Sequence, residues 1–419
     1  MCRASEVMTR SEVLSHQEGM LGRLLWHAVR HVPFYRRYTA PVMRFAPYDA
    51  LREFPLLEKK DVRANFEELS ASLPWGARCH ESSTGGSSGD HLTFLEDDAT
   101  YAREMAFMHS QWKRVGYTPT CRKATFRGVA FREITDTCFW EENPIHNELL
   151  FSPFHMSERN LELYIQKLIE YQPQYLHGYP SAIDILAAYV LHHEKTLQLP
   201  PVDGVLLGSE DCSVEQRARI ENAFTTRVYT WYGHSERTVL GGECEKTRCY
   251  HAFPGYGILE ILNKDGESCH VGEQGEIVGT GFLNRSMPLI RYRTDDYATR
   301  ESYECECGRS WDRFSAVVSR RMYEGFVFGR NGSKISATAL NIHSDCFRNV
   351  LRYQYYQTVV GQLVIRVIPM AQYSSVDEAR IVAEHEMKLQ GEMEIVVRKI
   401  DDIPLTKSGK QQRLVCDVK

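Results

Sequence analysis

The sequence predicts an α/β protein with a smaller α+β unit at its carboxyl end, and three stretches carry that prediction. Val202–Leu207 (VDGVLL), Val214–Phe224 (VEQRARIENAF) and Arg227–Tyr232 (RVYTWY) alternate as strand, helix and strand. That order over about thirty residues is the pattern of a βαβ unit in a parallel sheet. Gly257–Leu262 and Glu276–Gly279 are apolar stretches separated by the turn-rich Asn263–Glu267 (NKDGE), which reads as antiparallel β-structure. From about residue 322 the pattern changes again. Tyr355–Ile368 is strand-rich, Val376–Gln390 is helical and Glu394–Ile400 reads as a final strand.

The other elements follow from local signals. Gly19–Tyr38 places Leu21, Leu24, Leu25 and Val29 at helical spacing, and Pro33 breaks the pattern. Residues 157–172 form a helix with Ser157 as N-cap and Leu161, Ile165 and Leu168 on one face, stopped by Pro173. In the tail helix Val376, Ala379, Ala383 and Met387 make one stripe. No internal repeat or low-complexity tract interrupts the chain.

Composition narrows the function. The 419 residues, 43% hydrophobic and 25% charged, are those of an ordinary globular protein of two to three domains. The net charge of −5 carries no long run of one sign, which argues against a nucleic-acid-binding face. No stretch reaches the ~18 apolar residues of a membrane span. The first twenty residues carry Arg3, Glu6, Arg10, Glu12 and Glu18 without an apolar core, so no secretory signal is expected and a cytoplasmic location is. In a reducing compartment the 12 cysteines are expected as buried thiols or a metal site rather than disulfides.

Five short motifs carry chemistry. Ser82-Ser83-Thr84-Gly85-Gly86-Ser87-Ser88-Gly89 offers uncovered backbone N–H groups and five hydroxyls, enough to wrap an anion. A flexible linker has the same composition, and no Gly-Lys-Ser/Thr follows to make it a Walker A loop. Gly208-Ser209-Glu210 and Trp231-Tyr232-Gly233-His234-Ser235-Glu236 each end a strand, where α/β folds place ligands. A glutamate there can hold Mg²⁺ through one oxygen while phosphates supply others. Tyr232 could stack on a base. Arg291-Tyr292-Arg293-Thr294-Asp295-Asp296 presents a carboxylate able to accept from vicinal ribose hydroxyls. Pro404–Arg413 (PLTKSGKQQR) presents Lys410 at a loop tip after Gly409. Each alone also fits an ordinary turn or a solvated charged loop.

In this order the five motifs resemble those of the adenylate-forming superfamily of acyl-CoA synthetases and nonribosomal adenylation domains. The look is of its phenylacetate–CoA ligase-like, CapK-like branch. Thr84–Gly89 matches the phosphate loop, Gly208–Glu210 the adenine segment and Tyr232–Glu236 the Tyr-Gly-x-Thr/Ser-Glu motif. Tyr292–Asp296 matches Tyr-Arg-Thr-Gly-Asp, and Gly409-Lys410 the carboxy-terminal Gly-Lys. Two departures stand out: Asp90-His91 follows the phosphate loop, and Asp295 replaces the usual glycine.

The resemblance implies a large N-terminal domain over 1–320, with sheets flanked by helices and a β-subdomain. It implies a small mobile C-terminal α+β domain over 321–419, on a hinge near Arg320–Tyr323 with Arg321 beside it. It implies attack of a carboxylate on the α-phosphorus of ATP, then transfer of the acyl group, with coenzyme A the first choice of acceptor and an amine the rival. Thr84, Gly85, Gly86, Ser87 and Ser88 would bind the β- and γ-phosphates, with Ser83 and Gly89 as further nucleotide-binding residues. Ser209, Glu210 and Tyr232 would frame the adenine and Asp296 would orient the ribose, with Gly233 and Ser235 as further nucleotide-binding residues. Glu236 would hold Mg²⁺, and Lys410 would bridge the substrate carboxylate and the α-phosphate. A reading of another class is a non-catalytic nucleotide-binding scaffold. The partners are small molecules, neither nucleic acid nor membrane, and the oligomeric state is left open.

One constellation stands apart. Cys244 and His251 are seven residues apart, and Cys305-x-Cys307 precedes Gly308-Arg309. Two such pairs suit a closed tetrahedral Zn²⁺ site, with Cys249 and Cys269 as rival ligands. Some phenylacetate–CoA ligase-like proteins have a similar pattern, which implies a structural zinc.

Overall fold

The computed structural model describes residues 5–72, 78–83, 92–128, 131, 135, 137–193, 199–318, 326–330, 332, 334–336, 340, 342, 346–389, 391–405, 409 and 411–418. The chain opens with α1 (Arg10–His31) and short helical turns, then β1 (Cys79–Ser83), β2 (Thr93–Asp97) and α2 (Thr100–Lys113). Next come β3 (Lys123–Phe126), β4 (Trp140–Asn143), β5 (Glu148–Phe151), α3 (Glu158–Tyr171), β6 (Tyr175–Gly178) and α4 (Pro180–His192). They are followed by β7 (Gly204–Leu207), α5 (Val214–Phe224), β8 (Val228–Gly233), β9 (Leu240–Glu243) and β10 (Tyr250–Ala252). A meander follows: β11 (Gly257–Leu262), β12 (Gln274–Gly281), β13 (Tyr292–Glu301) and β14 (Arg313–Val318). The tail holds β15 (Phe326–Phe328), β16 (Lys334–Ser336), β17 (Val350–Gln357), β18 (Gln362–Pro369), α6 (Ser375–Leu389), β19 (Glu394–Lys399) and β20 (Leu414–Cys416).

These elements form two compact units, one of Met1–Thr118 with Tyr229–Val318, the other of Pro119–Val228 with Ser319–Lys419. In the first, the strand order is β11-β12-β13-β14-β10-β9-β8, and β1 pairs antiparallel with β2. Among the described residues the neighbouring strands of that sheet pair antiparallel, as the NKDGE turn between β11 and β12 predicts. Against it packs α1, whose Leu21, Leu24, Leu25, Ala28 and Val29 are buried with Tyr35, Phe54, Met287 and Tyr292. Helix α1 begins earlier than the apolar spacing predicts, because Thr9 and Glu12 form a capping box. It stops at His31, and Pro33 starts a 3₁₀ turn.

In the second unit β5, β3, β6 and β7 are parallel neighbours, with β4 antiparallel at the edge. Helices α3, α4 and α5 cover them and share one apolar core that includes Phe126, Phe151, Tyr164, Leu186 and Ile220. Ser157 precedes α3 in extended conformation without a side-chain cap, and Gln172 ends that helix at φ 54°. The tail has its own core, with Tyr355, Leu363, Ile365, Ile381 and Ile395 buried between the sheet β19-β18-β17-β20 and α6.

Two expectations for the tail are corrected. The buried face of α6 carries Ile381, His385 and Leu389. Val376 and Met387, on the stripe picked from the sequence, are each 74% exposed. Nor is Glu394–Lys399 the last strand, because β20 lies parallel beside β17. Three residues are too few to show a period. The described cysteines are free thiols, and among the described residues no helix is long and apolar enough to cross a membrane.

Candidate active site

In the first unit β8, the turn after it and β13 hold three of the predicted residues, Tyr232, Glu236 and Asp296, close together in two hydrogen-bonded groups. Tyr232 Oη donates to Asp296 Oδ2 at 2.9 Å. Burial first, then the Asp296 carboxylate, holds that phenol well above its ordinary pKa, so it remains a donor. The Tyr232 ring meets Phe314 edge-on at 5.6 Å, anchoring it in the sheet core. Thr294 Oγ1 donates to the Ile277 carbonyl and accepts from the Asp296 N–H, setting the backbone at the aspartate. Asp295 sits between them at φ 59°. That is the left-handed conformation glycine adopts freely, and aspartate is among the few side chains that tolerate it.

Glu236 is buried and held from two sides. Tyr292 Oη donates to Oε1 at 2.7 Å, and His234 Nδ1 lies 3.2 Å from Oε2. His234 Nε2 is in turn 3.1 Å from Thr238 Oγ1. Burial opposes ionisation, but the hydrogen bonds and charge of His234, with Tyr292, bring the Glu236 pKa down to about 2. A carboxylate offers roughly four lone-pair directions. Both oxygens can therefore still accept a cation, and the residue fits a Mg²⁺ ligand. Gly233 and Ser235 lie exposed on either side of His234.

The residue after Glu236 ties this turn to the stem of the glycine-rich loop. Arg237, at φ 52°, pairs with Glu96 and Glu104, each at 3.1 Å. Glu104 accepts from Tyr256, and Glu96 accepts from Ser82 Oγ at 2.6 Å. Ser82 lies in β1, and that strand ends at Ser83. A left-handed arginine costs about 1–2 kcal/mol and persists where its surroundings over-determine it.

In the second unit Arg127, Tyr179 and Ser209 follow the carboxyl ends of β3, β6 and β7. Ser209, at φ 68°, accepts a hydrogen bond from Arg127 at 2.8 Å. Glu210 Oε2 accepts from the backbone N–H of Ser181 at 3.1 Å, at the start of α4. The Gly409 turn lies in the same place. A Cβ built on that glycine would be 3.0 Å from the Phe154 ring and 3.2 Å from Gly128 Cα, and its φ is +77°. Thr84, Gly85, Gly86, Ser87, Ser88, Gly89, Arg321 and Lys410 lie outside the described residues, and Ser83 is placed only as the end of β1.

The cysteine–histidine constellation assembles in the first unit. The donor atoms of Cys244, His251, Cys305 and Cys307 all lie within 4.8 Å of one another. Cys244 and Cys305 sulfurs are 3.7 Å apart, and Cys307 Sγ is 3.3 Å from His251 Nε2. Tetrahedral ligation of zinc requires edges of about 3.7 and 3.5 Å from its bond lengths. Burial, then the charges of Arg309, Arg114 and Arg313, lowers the His251 pKa to about 3, which keeps the imidazole a neutral donor. The same arginines sit where the negative charge of three thiolates would need an answer. Arg309 grips Glu245 through two nitrogens and Glu6 through its Nε, so the residues next to Cys244 and Cys307 are stapled together. The rival thiols do not join: Cys269 packs among Ile261, Ile277 and Ala298, and Cys249 stands outside the cluster.

Several residues of these clusters were not assigned from the sequence. His234 and Tyr292 lay inside quoted motifs without a role. Arg237, Glu96, Glu104 and Arg127 were not singled out. The alternation of β2, which turns Glu96 inward beside buried Phe94, was a signal available for one of them.

The fold, a sheet-based α/β body with a tail that has its own sheet, is the one found in adenylate-forming ligases. The comparisons agree. No protein-family model matches the sequence. Protein CapK of Staphylococcus aureus is 23% identical over 383 residues, covering 88% of this chain and 81% of CapK. Phenylacetate-coenzyme A ligase of Thermus thermophilus is 23% identical over 338 residues, covering 75% of this chain and 72% of that enzyme. Among solved structures, 2-hydroxyisobutyryl-CoA ligase in its postadenylation state with R3-HIB-AMP superposes with a TM-score of 0.72 at 17% identity. The match covers 98% of this chain and 91% of that one. In sequence and in fold the chain is similar to adenylate-forming, CoA-ligase-like proteins.

Proposed function

We propose that this protein activates a carboxylic acid with ATP, forming an acyl-AMP and pyrophosphate, and then passes the acyl group to coenzyme A. The observation that carries it is the cluster in which Glu236 is held ionised by His234 and Tyr292 beside the Tyr232–Asp296 pair. Two of the relatives reported above are named as CoA ligases, which favours the thiol acceptor over an amine.

The chemical difficulty is the approach of two anions, the carboxylate and the α-phosphate, so neutralising charge is the main task. Ser83 and Thr84–Gly89 are assigned to the β- and γ-phosphates, and Asp296 to the ribose hydroxyls. Ser209, Glu210, Tyr232, Gly233 and Ser235 are assigned to the adenine side. Lys410 is assigned to the carboxylate and the α-phosphate, and the packing of Gly409 against Gly128 supports a tail loop at the strand ends of the second unit. Mg²⁺ held by Glu236 would neutralise the phosphates. Zn²⁺ held by Cys244, His251, Cys305 and Cys307 would be structural, fastening the turn after β9 to the one before β14.

Residues 1–320 are assigned as the adenylation domain and 321–419 as a mobile tail, turning near Arg320–Tyr323 with Arg321 at the hinge. The separate core of the tail supports its moving as a body. The proposed substrates are small molecules, ATP among them, and the proposed location is the cytoplasm.

Pyrophosphate release against a panel of carboxylic acids tests the assignment, with coenzyme A and amines then offered as acceptors. Release with at least one acid, and thioester formation with coenzyme A, are expected. Lys410→Ala should abolish adenylation and leave thioester formation from supplied acyl-AMP largely intact. Equal loss of both half-reactions would remove Lys410 from its role. A folded protein that binds ATP but yields no pyrophosphate with any acid would make it a nucleotide-binding scaffold.

A further inference from the structure

The second unit holds a cation for which the assignments above leave no use. Arg127 is half-buried just past the carboxyl end of β3. Parallel α/β sheets bind their ligands outside these strand ends. Its guanidinium donates to the Ser209 hydroxyl at 2.8 Å and lies 5.4 Å from the centre of the Tyr179 ring. Among the described residues it has no carboxylate partner.

The neighbouring groups do not supply one. Lys123, lower on the same strand, is already paired with Glu148 at 3.0 Å. His177, buried on β6 with Nδ1 2.9 Å from the Leu206 carbonyl, is neutral: burial first, then the charges of Lys123 and Arg127, takes its pKa well below the ordinary value. Glu210 Oε2 is turned to the backbone of Ser181.

A guanidinium carries five N–H donors in a planar fork that matches an oxyanion. One donor here is spent on a hydroxyl. A partly desolvated arginine left without an anion is costly, and a bound anion repays that cost. The Tyr179 ring and the Ser209 hydroxyl fix the fork in one orientation, as a recognition group requires.

We propose that Arg127 recognises an oxyanion on the small-molecule substrate, and that this oxyanion is a second acidic group on the acid being activated. The assignment rests on the adenylate-forming reading. There the nucleotide phosphates already have the 84–89 loop, Glu236 and Lys410. The preferred substrates are then diacids, carrying one carboxylate to be activated and one to be held. Gly128, the next residue, lies against the Gly409 turn.

The test compares matched acids, butyrate with succinate and benzoate with isophthalate, by pyrophosphate release at saturating ATP and Mg²⁺. Wild type, Arg127→Gln and Arg127→Lys are compared, with thermal unfolding of each as the control for folding. Wild type is expected to prefer the diacid of at least one pair by about tenfold or more in kcat/KM. Arg127→Gln should lower kcat/KM for that diacid roughly 10- to 100-fold and leave the monoacid within about twofold. Arg127→Lys, which keeps the charge without the fork, should fall between. Equal loss for both acids, or a raised KM for ATP, assigns Arg127 to the nucleotide and overturns the proposal. So does a wild-type preference for the monoacids. A wild type that neither binds ATP nor releases pyrophosphate with any acid overturns the reading beneath it instead.

Discussion

Two clusters in the same unit are built on opposite plans. Around Glu236 the side chains answer one another: His234 and Tyr292 take its two oxygens, and Tyr232 takes Asp296. Around His251 four donor atoms face one another within 4.8 Å, and among the described residues the buried Nδ1 of that histidine has no hydrogen-bond partner. The first cluster holds its shape alone. The second gathers groups that repel when ionised, and a cation would bind them together. Preorganised charge stabilises a transition state without reorganisation. A set of converging donors stores its stabilisation until the metal arrives.

The sharpest way to break this contrast is Glu236→Gln. If Glu236 is preorganised for catalysis, the substitution should lower kcat for pyrophosphate release by about 10²- to 10³-fold. A loss under fivefold would remove Glu236 from the chemistry. The same variant reads the electrostatics. Glu236 is buried, with its folded pKa lowered to about 2 against an ordinary 4.5. A depressed carboxylate pKa stabilises the fold above the unfolded value and loses that contribution as pH falls through the folded one. Wild type should therefore exceed Glu236→Gln by about 3 kcal/mol near pH 6, and the gap should close between pH 4.5 and 2. Urea titration across that range checks it, and a gap independent of pH counts against the assigned ionisation.

The second cluster should behave the other way, with structure lost before chemistry. Cys305→Ser is expected to abolish one equivalent of bound zinc and to cost about 2–4 kcal/mol of stability. Chelation of the wild type should reproduce that loss, and added Zn²⁺ should reverse it in the wild type alone. Elemental analysis of freshly purified protein with no zinc would end the metal assignment. Glu245→Gln, which releases one grip of Arg309 without touching a ligand, should cost less, about 1 kcal/mol, and leave zinc bound.

The difference between the clusters also explains how far each was legible in the sequence. Spacing together with the family pattern pointed to Cys244, His251, Cys305 and Cys307 while leaving Cys249 and Cys269 as rivals, and the fold brings those four together. Glu236, Tyr232 and Asp296 were legible through short motifs at strand ends. Their supports were not, because Arg237 meets Glu96 and Glu104 across more than 130 residues of chain. Helix Val214–Phe224 has the bounds read from the sequence, and in the structure a Ser213–Gln216 capping box fixes its start. The face of the tail helix was misread because Val376 and Met387 are apolar yet exposed, while the buried position is filled by His385. That histidine is satisfied by the Ile381 carbonyl and Tyr355, a pairing no pattern of hydrophobicity records.

Asp295 gives the smallest effect and the finest test of the first plan. It stands where the Tyr-Arg-Thr-Gly-Asp motif has glycine, and its φ of 59° shows why that position admits few other residues. A β-branched side chain there would meet its own backbone, so Asp295→Val should cost about 1–2 kcal/mol and disturb the approach of Asp296 to Tyr232. Asp295→Gly removes the conformational penalty in the folded state but adds freedom to the unfolded chain, and the two changes oppose. Its stability should stay within about 1 kcal/mol of wild type, with kcat within about twofold. Circular dichroism melts and pyrophosphate-release rates on both variants decide the matter. If Asp295→Gly loses activity as Glu236→Gln does, Asp295 contributes its charge and not its backbone, and the turn is part of the chemistry.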